Sequence, residues 1–258
     1  MSNAMLISAV VIAAVMVGTW LASLGAKNAS IVDIVWGLGF VVVSWVLMFA
    51  IDGDVARQWL VTILVSIWGL RLSLYLFRRN HGKGEDWRYV RMRKKHGSKF
   101  PIVSLFTVFL FQGVVMWVVS LPVQFSHGDD SPSIGPIAVI GIMVWIVGFV
   151  FEAVGDAQLA RFKKDPMNAG KVMDKGLWSL TRHPNYFGDA MVWWGLGIIA
   201  AETGSGVIAL IGSLVMTIFL RRVSGVPMLE ASLVKRREGY DDYVARTSPF
   251  FPRPPKQL

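Results

Sequence analysis

The chain has 258 residues, enough for one or two soluble domains, yet 54% of it is hydrophobic, with 11 Trp and 15 Phe, and only 17% is charged. That composition is wrong for a surface facing water on all sides, and the lack of any Cys removes disulfide scaffolds, thiol nucleophiles and thiolate metal sites. A net charge of +9 would suit nucleic acid, but 23 of the 26 Lys and Arg sit in three places: nine in 78–100, six in 157–182 and eight in 221–258. The polar breaks between them, 52–57 and 125–133, carry Asp52, Asp54, Asp129 and Asp130 against one base, Arg57. This is the positive-inside alternation of a membrane protein, so no nucleic-acid partner is expected and the basic segments face the cytoplasm.

In chain order, Met1-Ser2-Asn3-Ala4 reads as an expression scar before Met5. Apolar runs long enough to cross a bilayer as helices follow near 6–24, 31–51, 58–77, 101–124, 134–156, 185–201 and 203–220. The first has no basic flank and about 19 uncharged residues, so it stays in the membrane rather than acting as a signal. The pattern predicts an all-α integral membrane protein: seven transmembrane helices, N-terminus outside, C-terminus cytoplasmic. Residues 5–258 then form a single membrane domain with cytoplasmic loops 78–100 and 157–184 and a cytoplasmic tail 221–258. No internal repeat is evident.

Charges inside such spans are costly and ask for a partner or a task. Asp33 falls two residues into the second run. Arg71 falls about seven residues before the end of the third, roughly 10 Å deep. Glu152 and Asp156 close the fifth, and Asp189 lies one turn into the sixth. All fall in the cytoplasmic half, which predicts the wall of one polar cavity open to the cytoplasm. Trp68, Arg71 and Tyr75, at i, i+3 and i+7, share one helix face; Asn185, Asp189 and Trp193 share another. Trp36 and Phe40 lie on the face of Asp33.

Several chemistries fail on spacing. His81, His96, His127 and His183 form no HxxxH or HxxHH cluster, so no metal is expected, and neither GxGxxG nor GxxxxGK[ST] is present. Any nucleotide must be held by helix ends and loops. One candidate runs from Arg78 to Tyr89, with Asn80, Arg88 and Tyr89 among two Gly and several cations. The other runs from Lys163 through Lys171 to Arg182-His183-Pro184-Asn185-Tyr186, where Pro184 can start a helix whose free N–H groups favour anions. The bland alternative for both is basic residues attracted to anionic membrane lipid.

Gly176-Leu177-Trp178, Arg182-His183-Pro184-Asn185-Tyr186-Phe187-Gly188-Asp189 and Trp193 together resemble the C-terminal signature of the membrane steroid 5-alpha-reductase family. Asp33-Ile34-Val35-Trp36-Gly37, Glu85-Asp86-Trp87-Arg88-Tyr89 and the Pro249-Phe250-Phe251-Pro252 ending look like its bacterial branch. The resemblance covers almost the whole chain, most densely 176–195. It implies a seven-span fold in the bacterial inner membrane, its site facing the cytoplasm, and NADPH-dependent reduction of an enone-type double bond in a lipophilic, steroid-like or other lipid substrate. By position it implies cofactor contacts at Asn185, Asp189, Asp156 and Arg221, and puts Asp33 beside the substrate carbonyl. The family's Glu is Asp here, its substrate-side Tyr falls near Trp68, and a cofactor-side Tyr of the tail falls at Leu229. Hydride addition to an enone builds charge on its oxygen, where a donor lowers the barrier. Partial burial would keep Asp33 protonated as that donor, with Tyr75 next in line.

The Arg-His-Pro-Asn-Tyr element followed by Glu230, Gly239-Tyr240, Tyr243 and a Pro-rich end also resembles the membrane methyltransferases that use S-adenosylmethionine on isoprenylcysteine or phospholipid. Methyl transfer leaves Asp33 and Arg71 without a chemical task. A non-enzymatic lipid-binding or transport protein would need a polar path onward, whereas the outer halves of the spans carry no ionisable residue.

Overall fold

The computed structural model describes residues 2–129, 134–223, 226, 230 and 239–256. Met1, Asp130 and Leu229, singled out above, lie outside the described residues. Among the described residues all regular structure is helical. Six stretches among the described residues are long and apolar enough to cross a membrane: Ser2–Gly25, Ile31–Ala50, Val55–Asn80, Trp87–Val119, Pro136–Lys164 and Ser205–Val223. The remaining expected span forms a helix, Pro184–Ala201, that carries Asn185 and Asp189 and is not one of the six. The chain divides into two compact units, Met1–Gly135 with Thr203–Ala209, and Pro136–Glu202 with Leu210–Leu258.

In the first unit α1 (Ser2–Gly25) buries Ala4, Ser8, Ile12, Met16, Thr19 and Ser23, spaced three or four apart as one helix face requires. Its hydroxyls are satisfied within the helix, Ser8 on the Ala4 carbonyl and Thr19 on that of Val15, both at 2.7 Å. α2 (Ile31–Ala50) and α3 (Val55–Asn80) pack backbone to backbone: a Cβ on Gly37 would stand 2.6 Å from the Gly69 carbonyl oxygen, and one on Gly69 2.7 Å from that of Gly37. Asp54 caps α3 by accepting the Arg57 N–H at 2.8 Å, and Asp86 caps α4 (Trp87–His96) by accepting that of Arg88 at 2.9 Å. Much of the basic segment expected as loop is therefore helix. Gly97, at φ 53°, ends it, and Pro101 opens α5 (Phe100–Ser104), which continues through a π turn into α6 (Phe111–Val119). α1 is tied alongside, the Trp20 indole donating to the Pro101 carbonyl and that of Trp117 to Met5, each at 3.0 Å.

α7 (Leu121–His127) contributes a buried histidine. His127 Nδ1 lies 2.8 Å from the Val123 carbonyl, which only accepts, so Nδ1 carries the proton and Nε2 accepts from the Thr62 hydroxyl at 3.0 Å. Thr62 in turn accepts from Ser44, also at 3.0 Å. Burial pushes the imidazole down to about 4, so this histidine is a neutral packing element.

In the second unit α8 (Pro136–Lys164) and α10 (Pro184–Ala201) run antiparallel, joined across a short α9 (Leu177–Leu180). Gly141, Gly148 and Gly155 recur every seventh residue on α8 and Gly188 and Gly195 do so on α10. Cβ atoms on Gly141 and Gly148 would stand 2.7 Å from the carbonyl oxygens of Gly195 and Gly188. With no side chain between them, the helices lie close enough for Asp156 and Asn185 to meet. α11 (Leu210–Ile218) packs on α10, Ser213 donating to the Trp193 carbonyl at 2.6 Å. α12 (Tyr240–Arg246) completes the described tail.

Candidate functional site

Asp33 stands in the first turn of α2, behind a reversal that uses a left-handed residue, Lys27 at φ 50°. That turn is stitched to the start of α4: the Ser30 hydroxyl accepts the Asp86 N–H at 2.6 Å, and Glu85 accepts the Ala29 N–H at 2.8 Å. The stitching delivers consecutive side chains of α4 to Asp33. Arg88 Nη2 donates to Oδ2 at 2.7 Å, and the Tyr89 hydroxyl donates to Oδ1 at 2.9 Å. Arg88 Nε donates to Asp86 at 2.8 Å. Glu85 takes Arg93 through both oxygens at 2.8 and 3.1 Å, and Arg93 lies 4.1 Å above the Phe100 ring. Burial alone would raise Glu85 and Asp86, but Arg93 on the first and Arg88 on the second hold both carboxyls below the usual range.

From Asp33 an aromatic strip leads along the α2–α3 contact. Trp36 meets Phe40 edge to face with centroids 5.3 Å apart, and Phe40 meets Trp68 at 5.7 Å. Phe40 and Trp68 are fully buried, whereas Asp33, Trp36, Arg71 and Tyr75 are partly exposed. Arg79 lies 5.9 Å from the Tyr75 ring centre and donates to Asn80 at 3.1 Å.

The second unit builds its own polar centre where α10 begins. Arg182 is a clamp: Nε and Nη2 grip Glu230 at 2.7 and 3.2 Å, while Nη1 donates to the carbonyls of Val244 at 3.1 Å and Thr247 at 2.8 Å. His183 Nε2 lies 3.0 Å from Glu230, and its ring stacks on Tyr186 with centroids 5.5 Å apart. Burial raises Glu230 less than the hydrogen bonds from His183 and Arg182 lower it, so its carboxyl stays below the ordinary glutamate value. Burial pushes the neighbouring Tyr240 up to about 12. Thr181 donates to the Phe250 carbonyl at 2.9 Å, and Phe250 and Phe251 lie under Arg221 at 5.5 and 5.2 Å. Deeper in, Glu152, Asp156 and Asp189 are buried, and Asn185 Nδ2 donates to Asp156 at 3.2 Å.

The predicted residues thus fall into groups. Asp33 meets Arg88 and Tyr89, with Trp36 and Trp68 along the strip; Asp156 meets Asn185; Arg182 and His183 meet Glu230. Arg71, Tyr75 and Asn80 follow one another along α3. Asp189 and Trp193 are buried one turn apart in α10, and Lys163 and Lys171 are exposed. Sequence reasoning missed the brace of Ser30, Glu85, Asp86 and Arg93. Its signal was present: acids directly before a basic helix are an N-cap pattern with charge partners two to eight residues on.

Over 101 residues the chain is 38% identical to the "Probable O-methyltransferase ustE" of Ustilaginoidea virens, covering 39% of this chain and 34% of that protein. Over 113 residues it is 39% identical to the "Steroid 5-alpha-reductase DET2" of Arabidopsis thaliana, covering 41% of this chain and 40% of that protein. The chain therefore spans well under half the length of these curated relatives. No solved structure matches. A family model described as "Protein of unknown function (DUF1295)" matches residues 19–247, most of the chain, which therefore belongs to that steroid 5-alpha-reductase-like family.

Proposed function

We propose that the chain is an integral membrane reductase that adds hydride and a proton across a conjugated carbon–carbon double bond of a lipophilic substrate, with NADPH as hydride source. The observation that carries this is Asp33, held by Tyr89 at 2.9 Å and Arg88 at 2.7 Å at the head of the Trp36–Phe40–Trp68 strip. An aromatic wall suits a flat apolar skeleton, and an acid–phenol pair at its end suits a carbonyl oxygen that gains charge. Asp33 in its protonated form donates to that oxygen, Arg88 and Tyr89 fix its orientation and stabilise the carboxylate left behind, and that carboxylate is reprotonated from water. Similarity to a steroid 5-alpha-reductase supports the same reaction class.

The second unit has the donor chemistry such a cofactor needs. Asp156, Asp189 and Asn185 suit ribose hydroxyls and a carboxamide, and the exposed Lys163, Lys171 and Arg221 suit phosphate. NADPH would supply the hydride when bound. Arg182 and His183, committed to Glu230, act by holding the tail. We also propose that Pro184–Ala201 crosses the bilayer as a seventh span, with the N-terminus outside and residues 83–99 and the tail on the cytoplasmic side of a bacterial inner membrane. Accessibility labelling that finds 83–99 outside would sink this arrangement.

A methyltransferase using S-adenosylmethionine is the second possibility, favoured by the similarity to an O-methyltransferase and by the tail's attachment to Arg182 and His183 through Glu230. Ligand-dependent melting of the purified protein separates the two. NADPH should raise the melting temperature by the equivalent of about 2.7 kcal/mol at a hundred times its dissociation constant, and Asn185→Ala should weaken that shift. A shift with S-adenosylmethionine and none with NADPH would overturn the reductase.

A further inference from the structure

The helix that brings Arg88 and Tyr89 to Asp33 uses its cations in two ways. Arg88 and Arg93 turn to acids, the first to Asp33 and Asp86 and the second to Glu85. Arg91, Lys94, Lys95 and Lys99 are exposed instead, and Trp87, which opens the helix, is 58% exposed. Trp87, Arg91 and Lys95, each four residues after the last, follow one face of α4. The acids of segment 81–99 are Glu85 and Asp86, both already engaged, so the exposed face is uniformly basic.

Just past Lys99 the exposed surface turns apolar. Ile102 and Phe106 are 66% and 60% exposed, and Phe111 and Val114 continue the run along the span. The basic face therefore ends where the lipid-facing surface begins, which is the depth of the headgroups, and an exposed Trp beside it is the residue favoured there.

We propose that Trp87, Arg91, Lys94, Lys95 and Lys99 form a docking surface for the anionic phospholipid headgroups of the bilayer the chain spans, and that bound lipid steadies the helix whose other face holds Asp33. Cations on the convex outside of a helix suit many loosely held phosphodiesters rather than one enclosed nucleotide. The anion site that the helix N-terminus would otherwise offer is taken by the Asp86 carboxylate, which accepts the Arg88 N–H. Each cation near the surface is worth roughly fivefold in affinity at low salt, and salt weakens it.

The test uses the full chain in vesicles of phosphatidylcholine with and without phosphatidylglycerol. A photoreactive phosphatidylglycerol should label 87–99, labelling should fall with salt, and Arg91→Gln/Lys94→Gln/Lys95→Gln should reduce it by roughly fivefold per cation removed. Phosphatidylglycerol should also slow amide exchange over 86–93 in the parent chain and not in the triple variant. An unchanged melting temperature of that variant in phosphatidylcholine keeps the comparison free of misfolding. Equal labelling by a photoreactive phosphatidylcholine would overturn the proposal. Competition by soluble glycerol 3-phosphate as strong as that of the lipid would overturn it too, by making the face a soluble-phosphate site. Neither readout uses activity, so the outcome is independent of the reductase assignment.

Discussion

Each unit gathers an Arg and a second side chain around one carboxylate, but the two clusters are bound into the fold differently. Around Glu230, Arg182 spends its donors on that acid and on the carbonyls of Val244 and Thr247, so the guanidinium joins main chain to main chain. Around Asp33, the contacts of Arg88 Nη2 and the Tyr89 hydroxyl are side chain to side chain, and Asp33 remains partly exposed. An Arg saturated by backbone carbonyls cannot turn to a ligand without unfolding what it holds. A carboxyl held by two side chains can release one of them and, in its protonated form, donate to a substrate oxygen at little cost. The first cluster is architecture, and the second has the latitude that chemistry needs.

The largest expected effect follows from the first half of that contrast. Arg182 and Glu230 side chains are 8% and 21% exposed, so Arg182→Ala leaves a mostly buried acid with its His183 contact and strands two carbonyls. Breaking such a pair costs about 3–5 kcal/mol, read as a lower melting temperature and faster proteolysis within 239–256. Arg182→Lys keeps the charge without the fork and should recover about half of that loss. A parent-like melting temperature for Arg182→Ala would erase the distinction between the clusters.

Next in size, Asp33→Leu should cut enone reduction by about 10²–10³ and Asp33→Asn by less, with the NADPH melting shift retained in both. Stability should fall by only about 1–2 kcal/mol, because the partners are side chains that can find water. If Asp33 only neutralises Arg88, then Arg88→Leu should rescue Asp33→Leu in both stability and activity. That rescue would move the chemistry away from Asp33.

The helices were legible because their signals are local. Apolar runs and Pro184 each act within a turn or two, whereas the Asp86 cap of α4 stands in a basic segment that reads as loop. The glycine recurrence at 141, 148 and 155 against 188 and 195 does not say by itself which helices it joins; in the structure it explains how Asn185 reaches Asp156. The partnerships were not legible. Arg88 meets Asp33 across 55 residues and Arg182 meets Glu230 across 48, and a charge in a sequence does not say which opposite charge it will find. Arg88, Arg182 and His183 therefore read alike as phosphate ligands, although the fold turns each of them to a carboxylate.

The smallest effect, a pH dependence, tests the architectural cluster without removing a cation. Glu230 is held below its ordinary value: burial opposes this, but the hydrogen bonds from His183 and Arg182 outweigh it. A carboxyl whose folded value is depressed binds fewer protons folded than unfolded. Its stabilising contribution is therefore present above the unfolded value and disappears as pH falls through the folded one. The melting temperature of the parent should exceed that of Glu230→Gln near neutral pH, and the gap should begin to close as the pH drops below about 4.5, the ordinary glutamate value. The pair is partly exposed, so salt should narrow the gap as well. A gap that stays constant through that range would mean that Glu230 contributes by shape and neutral hydrogen bonding, leaving Arg182 anchored by the Val244 and Thr247 carbonyls.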